Sequence, residues 1–173
     1  MKYAAFLRGV NVGGVLVKMA ELKGILGKVG LKKVQTILAS GNVVFESNKK
    51  ASELKKIIES ALKTQWKRDI VVVVHSIDNI KKLHAANPFE GIKVTPNTRL
   101  YVTFLFEKPK SHLKTSSKFF RILKTSDSAV CSVLTLTPNK GTVDLMGDLT
   151  KHYGKNITTR NWNTIEKILK VAG

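Results

Sequence analysis

Apolar and polar positions in the first half of the chain predict a simple succession of strands and helices. Apolar side chains recur at helical spacing near residues 19–29 and, most regularly, in Ala51–Trp66. Four short apolar stretches predict strands at residues 2–7, 34–38, 43–45 and 70–74. The turn at 39–42 joins the second and third strands as a hairpin. The resulting order, βαββαβ, is that of a split βαβ, or ferredoxin-like, unit.

The second half of the chain mixes the same patterns less regularly. A linking helix over residues 77–86 is expected to end at Asn87-Pro88-Phe89, because the residue before a proline is biased away from helix. Further strands are predicted at 100–106, 130–137 and 142–146, and short helices at 110–117, at 148–153 and around Trp162. We therefore expect an α+β protein of two ferredoxin-like units. The first would span residues 1–76, a linking helix and loop 77–98, and the second unit 99–173.

The first predicted strand runs straight into a glycine-bearing loop. Gly9, Gly13 and Gly14, three of the twelve glycines, fall within six residues. Glycine permits positive φ and close backbone approach, and successive amides in such a turn can form a nest for an anion. Arg8 adds a planar five-donor group suited to carboxylate or phosphate, and Asn11 tolerates left-handed geometry. The loop therefore predicts an anion-binding surface, although a plain strand-to-helix turn would use glycine in the same way.

Known phosphate-binding fingerprints do not describe this loop. Its glycines follow the order G-x-x-x-G-G rather than G-x-G-x-x-G, and the Gly-Lys-Ser/Thr ending of a Walker A loop is missing. The sequence therefore predicts neither a dinucleotide fold nor a nucleotide-triphosphate loop.

A second donor-rich segment, residues 158–164, precedes the apolar face of the last helix. Arg160, two asparagines and three threonines lie within seven residues, and the positive end of a helix dipole favours an anion. The same residue types also serve as ordinary helix caps. If the fold brings both segments together with the hairpin turn, they form one site. The predicted ligand-binding residues are Arg8, Gly9, Asn11, Gly13, Gly14, Ser40, Gly41, Asn42, Thr159, Arg160, Asn161 and Asn163.

The charge balance leaves nucleic acid as an alternative partner. The 173 residues carry 30 Lys and Arg against 12 Asp and Glu, a formal net charge of +18. Basic proteins bind polyanions through counterion release. However, the excess is spread evenly along the chain and only five of the cations are arginine, which also fits a lysine-rich composition without a nucleic-acid role.

Other chemistries find little support in the sequence. The four histidines lack metal-ligand spacing with each other or with Cys131, the single cysteine, so we expect no metal and no cofactor. No general base stands out beside Ser40, and an enzyme of unknown class using the same residues remains a third hypothesis. Apolar runs fall short of a membrane span, and we expect a cytoplasmic protein that does not enter membranes.

Several motifs together resemble a known bacterial family. These are the segment LRGVNVGG at 7–14, Ser40-Gly41-Asn42 with Phe45, Asn87-Pro88-Phe89 and TTRNWNT at 158–164. In this order they are similar to the family catalogued as domain of unknown function 1697. The resemblance implies an α+β architecture of two ferredoxin-like units, and it implies no activity.

Overall fold

A computed structural model of the chain describes residues 1–11, 16–113, 120–136 and 145–173. These residues form eight strands and five helices, and they divide into two compact units. One unit comprises Met1–Lys82 with Glu166–Gly173, and the other comprises Leu83–Ile165. The predicted ranges of 1–76, 77–98 and 99–173 stay a prediction.

The first unit contains a four-stranded antiparallel sheet in the order β2-β3-β1-β4. Along the chain its elements are β1 (Lys2–Leu7), α1 (Met19–Lys28), β2 (Lys32–Ile37), β3 (Asn42–Glu46), α2 (Ala51–Trp66) and β4 (Val72–Ser76). The predicted succession βαββαβ is therefore present, and β2 and β3 form the predicted hairpin. The helix α2 begins and ends at the predicted residues.

The core of the first unit explains why β1 is apolar at nearly every position. Tyr3, Ala5 and Leu7 join a buried cluster with side chains of α1 and α2. Ala4 and Phe6 alternate with them and are also fully buried. A strand that is buried on both faces needs apolar residues at every position. The strand β1 is also central in its sheet, because it lies between β3 and β4.

The second unit is built on another four-stranded antiparallel sheet, in the order β6-β7-β5-β8. After the helix α3 (Ile77–Ala85), the chain forms β5 (Thr98–Leu105), β6 (Phe120–Thr125), β7 (Ala129–Thr135), α4 (Leu145–Tyr153), β8 (Ile157–Asn161) and α5 (Trp162–Ala172). Two antiparallel sheets with helices confirm the predicted α+β class. The finer ferredoxin-like designation stays a prediction.

Two sequence-based predictions for the second half are wrong where the structure describes the residues, and one strand was not predicted. Residues 110–113 are not helical, and Leu145 and Met146 begin α4 instead of ending a strand. The strand β8 was missed altogether, because its sequence ITTRN lacks apolar alternation. The remainders of the predicted elements at 110–117 and 142–146 lie outside the described residues. No helix within the described ranges combines the length and apolar character that crossing a bilayer requires.

Candidate functional site

The end of β1 is joined directly to the hairpin turn between β2 and β3. The amide of Leu7 donates to the carbonyl of Gly41 at 2.8 Å, and the amide of Arg8 donates to the carbonyl of Val71 at 2.9 Å. A Cβ built at Gly41 would lie 2.4 Å from Val10 Cγ2. The segment of residues 8–11, which we call the 8–11 loop, therefore lies in contact with the turn that precedes Asn42.

Asn11 shapes the 8–11 loop through its side chain. Its Oδ1 accepts a hydrogen bond from the amide of Val17 at 2.6 Å, and its Nδ2 donates to the Val17 carbonyl at 3.3 Å. Nδ2 also donates to the carbonyl of Ala39 in the hairpin turn. The backbone of Asn11 has a φ of +56°, a left-handed conformation that asparagine tolerates well. These contacts tie the end of the 8–11 loop to the hairpin turn and to Val17.

The φ angles of the 8–11 loop alternate in sign, as they do in an anion-binding nest. Gly9 and Asn11 have φ values of +72° and +56°, whereas Arg8 and Val10 are not in the positive-φ region. Such alternation turns successive amides toward one concave side. Within the described part of the chain, the amides of Gly9, Val10 and Asn11 donate no hydrogen bond.

Gly9 and Arg8 form the first half of the 8–11 loop and differ in exposure. Gly9 is exposed, and a Cβ added there would meet no atom within 4 Å. Glycine is therefore favoured at this position by its positive φ and not by close packing. Arg8 is partly buried at the start of the loop. Arg8 directly precedes the three amides in the chain, and a guanidinium is a group that recognises a carboxylate or a phosphate.

The Ser40-Gly41-Asn42 motif has a structural explanation of its own. Asn42 is fully buried, and its Nδ2 donates to the carbonyl of Ile37 and to Ser40 Oγ, both at 2.9 Å. Gly41 is required by the close approach of its neighbours in the 8–11 loop. A role of these three residues in ligand binding stays a prediction, and Gly13 and Gly14 lie outside the described residues.

The second donor-rich segment spans the end of a strand and the start of a helix, so only its last residues open a helix as predicted. Thr159 and Arg160 lie in β8, which pairs with β5. Arg160 Nη1 donates to Thr158 Oγ1 at 2.7 Å and to the Thr159 carbonyl at 2.9 Å. Burial lowers the pKa of Arg160 to about 10, so the guanidinium remains charged at neutral pH. Thr159 shares a hydroxyl hydrogen bond of 2.7 Å with Thr103.

Asn161 and Asn163 lie at the start of α5. The Oδ1 of Asn161 accepts a hydrogen bond from the amide of Asn163 at 3.0 Å, which is a helix cap. Trp162 follows the cap and stacks on His84 with a centroid distance of 5.2 Å, while Phe89 meets its edge at 5.0 Å. Phe89 of the motif Asn87-Pro88-Phe89 thus packs against Trp162.

The predicted site divides between the two compact units. The 8–11 loop and the hairpin turn belong to the first unit, and Thr159, Arg160, Asn161 and Asn163 belong to the second. The structure brings the first set together through the contacts of Leu7, Val10 and Asn11. That both sets form one site stays a prediction.

Cavities elsewhere in the described residues offer weaker candidates. One of about 130 Å³ in the first unit includes Lys2 and Lys33. Lys33 pairs with Glu46 at 3.0 Å and Lys2 donates to the Ala172 carbonyl at the end of α5, so both ammonium groups have partners. Another of about 350 Å³ is lined by Leu113, Asp148, Lys151 and His152. Neither cavity contains a residue of the 8–11 loop.

Nucleophilic and metal chemistry finds no strong candidate in the described part of the chain. Cys131 is buried in β7, and burial raises the pKa of its thiol to about 12, which keeps it protonated. No group of three or more His, Cys, Asp or Glu side chains among the described residues is arranged to hold a metal ion.

Sequence reasoning missed two leucines beside the 8–11 loop. Leu16 is 89% exposed and Leu38 is 44% exposed. Leu38 also has a φ of +59°, which is rare for a bulky residue. No sequence signal points to Leu38, because leucine has no preference for left-handed backbone.

Comparisons with known proteins agree with the fold. A family model described as "Protein of unknown function (DUF1697)" matches residues 1–121 of the chain. The solved structure of the conserved bacterial protein SP0830 from Streptococcus pneumoniae is similar with a TM-score of 0.70 at 21% identity, covering 98% of this chain and 97% of that one. At this identity the likeness shows the fold alone. No curated protein matches the chain. The matched range includes the 8–11 loop and the hairpin turn, and it ends before β8.

Proposed function

The chain belongs to this family of proteins of unknown function, and we propose that it binds a small anionic or phosphorylated ligand at the 8–11 loop. The observation that carries the proposal is the set of three successive amides, at Gly9, Val10 and Asn11, that have no acceptor among the described residues. Alternating φ signs turn such amides toward a common point, where an anionic oxygen would accept from them.

Arg8 supplies the charge in this proposal. A guanidinium can donate to two oxygens of a phosphate or carboxylate at once, which fixes the ligand's orientation as well as its position. Because Arg8 is partly buried, its attraction to an anion is screened less than that of an exposed lysine. The formal net charge of +18 would further favour the approach of anions.

The start of α5 is the second part of the proposal. Arg160, Asn161 and Asn163 would contribute if the segment faces the same ligand. However, Arg160 already donates to Thr158 and Thr159, and Asn161 caps the helix, so these groups would have to share or exchange partners. The 8–11 loop therefore carries the proposal, and the α5 start is tested separately.

The experiment combines NMR with charge variants. Inorganic phosphate and a set of phosphorylated metabolites are titrated into isotope-labelled protein, and the amide resonances of Gly9, Val10 and Asn11 are followed. We expect these amides to shift on binding and Arg8→Ala to weaken affinity at least about tenfold, as for the loss of a charge-assisted hydrogen bond. Arg68→Ala, which removes an exposed arginine of the same unit, is the matched control.

Two results would overturn or narrow the proposal. Binding that leaves the three amide resonances in place and survives Arg8→Ala would remove the site from the 8–11 loop. An Arg160→Ala variant that binds as tightly as the unchanged protein would remove the α5 start from the site. A phosphorylated compound found chemically altered after incubation would make the site an active site, in line with the enzyme hypothesis.

Nucleic-acid binding is the alternative, and the exposed face of α1 is the observation that favours it. Lys23 and Lys28 are exposed without an acidic partner among the described residues, and they flank Gly24 and Gly27, whose missing side chains leave open space. Affinity for an oligonucleotide would then fall steeply with salt, with a slope of about −0.9 per phosphate contact on duplex DNA. Lys23→Ala with Lys28→Ala would weaken it, whereas Arg8→Ala would not.

A further inference from the structure

We propose that the ligand of the 8–11 loop carries an apolar group as well as its anionic group, and that Leu16 and Leu38 contact the apolar part. This inference rests on the proposed function, because it uses the same site. The ligand class is a small organic phosphate, such as an alkyl or aryl monoester, in place of inorganic phosphate.

The hydrogen bonds of Asn11 join it to the backbone next to each leucine. Its side chain bonds the backbone of Val17, the neighbour of Leu16, and the carbonyl of Ala39, the neighbour of Leu38. Asn11 itself carries one of the three amides without an acceptor. One residue thus connects the anion-binding amides to the backbone next to each exposed leucine.

In the protein without a ligand, the exposure of both leucines to water is energetically unfavourable. Leu16 and Leu38 expose 89% and 44% of their surfaces to water, and burial of leucine is normally favourable. Leu38 is also held at a φ of +59°, where glycine or asparagine would be less strained. A polar residue or glycine would suit the free turn better, so contact with an apolar ligand group gives these leucines a role that the fold itself does not.

A small molecule fits this surface better than an extended apolar partner. The exposed apolar residues next to the partners of Asn11 are the two leucines, and Gly9 and Asn11 contribute polar backbone. A phosphate monoester likewise has a polar and an apolar part. Its oxygens would accept hydrogen bonds from the amides and from Arg8, and its hydrocarbon group would contact the leucines. The recognition would therefore join hydrogen bonds at one end of the ligand to apolar burial at the other.

The test compares phenyl phosphate with inorganic phosphate by calorimetry, with the Gly9 amide resonance as a site marker. For the unchanged protein we expect phenyl phosphate to bind at least about tenfold more tightly, since burying part of one ring against leucine accounts for that factor. Leu38→Asn should reduce this advantage to about threefold or less while thermal stability stays equal or rises, because asparagine tolerates positive φ. Leu16→Ser should also reduce it.

The matched control is Val94→Asn, which changes another exposed apolar residue, one of the second unit. It should leave the advantage of phenyl phosphate intact. If both phosphates bind at the Gly9 amide with equal affinity, or if Leu38→Asn leaves the advantage unchanged, the inference is wrong while the proposed anion site stands. If neither phosphate moves the Gly9 resonance, the proposed function fails and the inference fails with it.

Discussion

The Cβ of Leu7 would lie 2.9 Å from a Cβ at Gly41, and the Leu7 amide already donates to the Gly41 carbonyl at 2.8 Å. The end of β1 and the hairpin turn therefore approach too closely for any side chain at position 41. The contact joins residues that are far apart in sequence, and it positions the 8–11 loop on the turn.

Gly41→Ala should destabilise the first unit strongly. The new methyl group would lie 2.4 Å from Val10 Cγ2, and the residue would keep a φ of +73°. Overpacking and backbone strain together should cost about 2–5 kcal/mol of unfolding free energy. Gly9→Ala is the control, because its φ is similar at +72° but its Cβ meets open space, so it should cost only about 1–2 kcal/mol. Equal losses in urea denaturation would show that packing at Gly41 is unimportant.

Replacing Asn11 should separate its side-chain contacts from its backbone conformation. Asn11→Gly removes the hydrogen bonds to Val17 and Ala39 but accepts a φ of +56° without strain. Asn11→Ala removes the same bonds and adds strain, so it should be about 1 kcal/mol less stable than Asn11→Gly. Chemical denaturation of both variants measures this difference. An alanine variant as stable as the glycine variant would contradict the left-handed conformation.

Glu59 should stabilise the edge strand β4. Its Oε1 accepts from the amide of Val72 at 2.9 Å and also from Lys55, and β4 lies at the edge of its sheet. Glu59→Ala leaves the Val72 amide without this acceptor, and we expect a loss of about 1.5–2 kcal/mol. Glu53→Ala on the same helix breaks only an exposed pair with Lys49 and should cost about 0.3–0.5 kcal/mol. Amide exchange at Val72 should accelerate in the first variant and stay unchanged in the second.

Cys131 should be unreactive in the folded protein. Burial in β7 raises the pKa of its thiol to about 12, so the reactive thiolate is not populated at pH 8. A thiol reagent should label the chain in urea at once and label the native protein only as fast as it opens. Because the folded pKa is raised, the thiol's contribution to stability is retained below pH 9 and declines as the pH rises toward 12. Rapid labelling without denaturant would contradict this burial.

Local patterns predicted the elements whose burial depends on their own side chains. The helix α2 repeats apolar residues at helical spacing, with Leu54, Ile58 and Leu62 fully buried, and both its ends were predicted correctly. The missed strand β8 depends instead on its partner β5. Thr158 and Thr103 are buried although they are polar, because backbone pairing and hydroxyl contacts satisfy them.

In the candidate site, too, some residues could be predicted from their own residue type and others depend on contacts with distant segments. Its glycines, Arg8 and Asn11 were recognisable from their residue types, because positive φ and anion recognition restrict which residues can serve. Leu38 was not recognisable, since its left-handed conformation follows from the turn that holds it and not from a preference of leucine.

The sequence by itself determined the α+β class, the order of elements in the first unit and the loop in which a nest could form, because hydrophobic periodicity and glycine content are local properties. Tertiary structure decided that the hairpin turn meets the 8–11 loop, that β8 is a strand and that Arg160 is partly buried within it. These outcomes depend on contacts between segments that are far apart in sequence, such as the contact of Leu7 with Gly41. The pattern of residues within one segment does not predict the energies of such contacts.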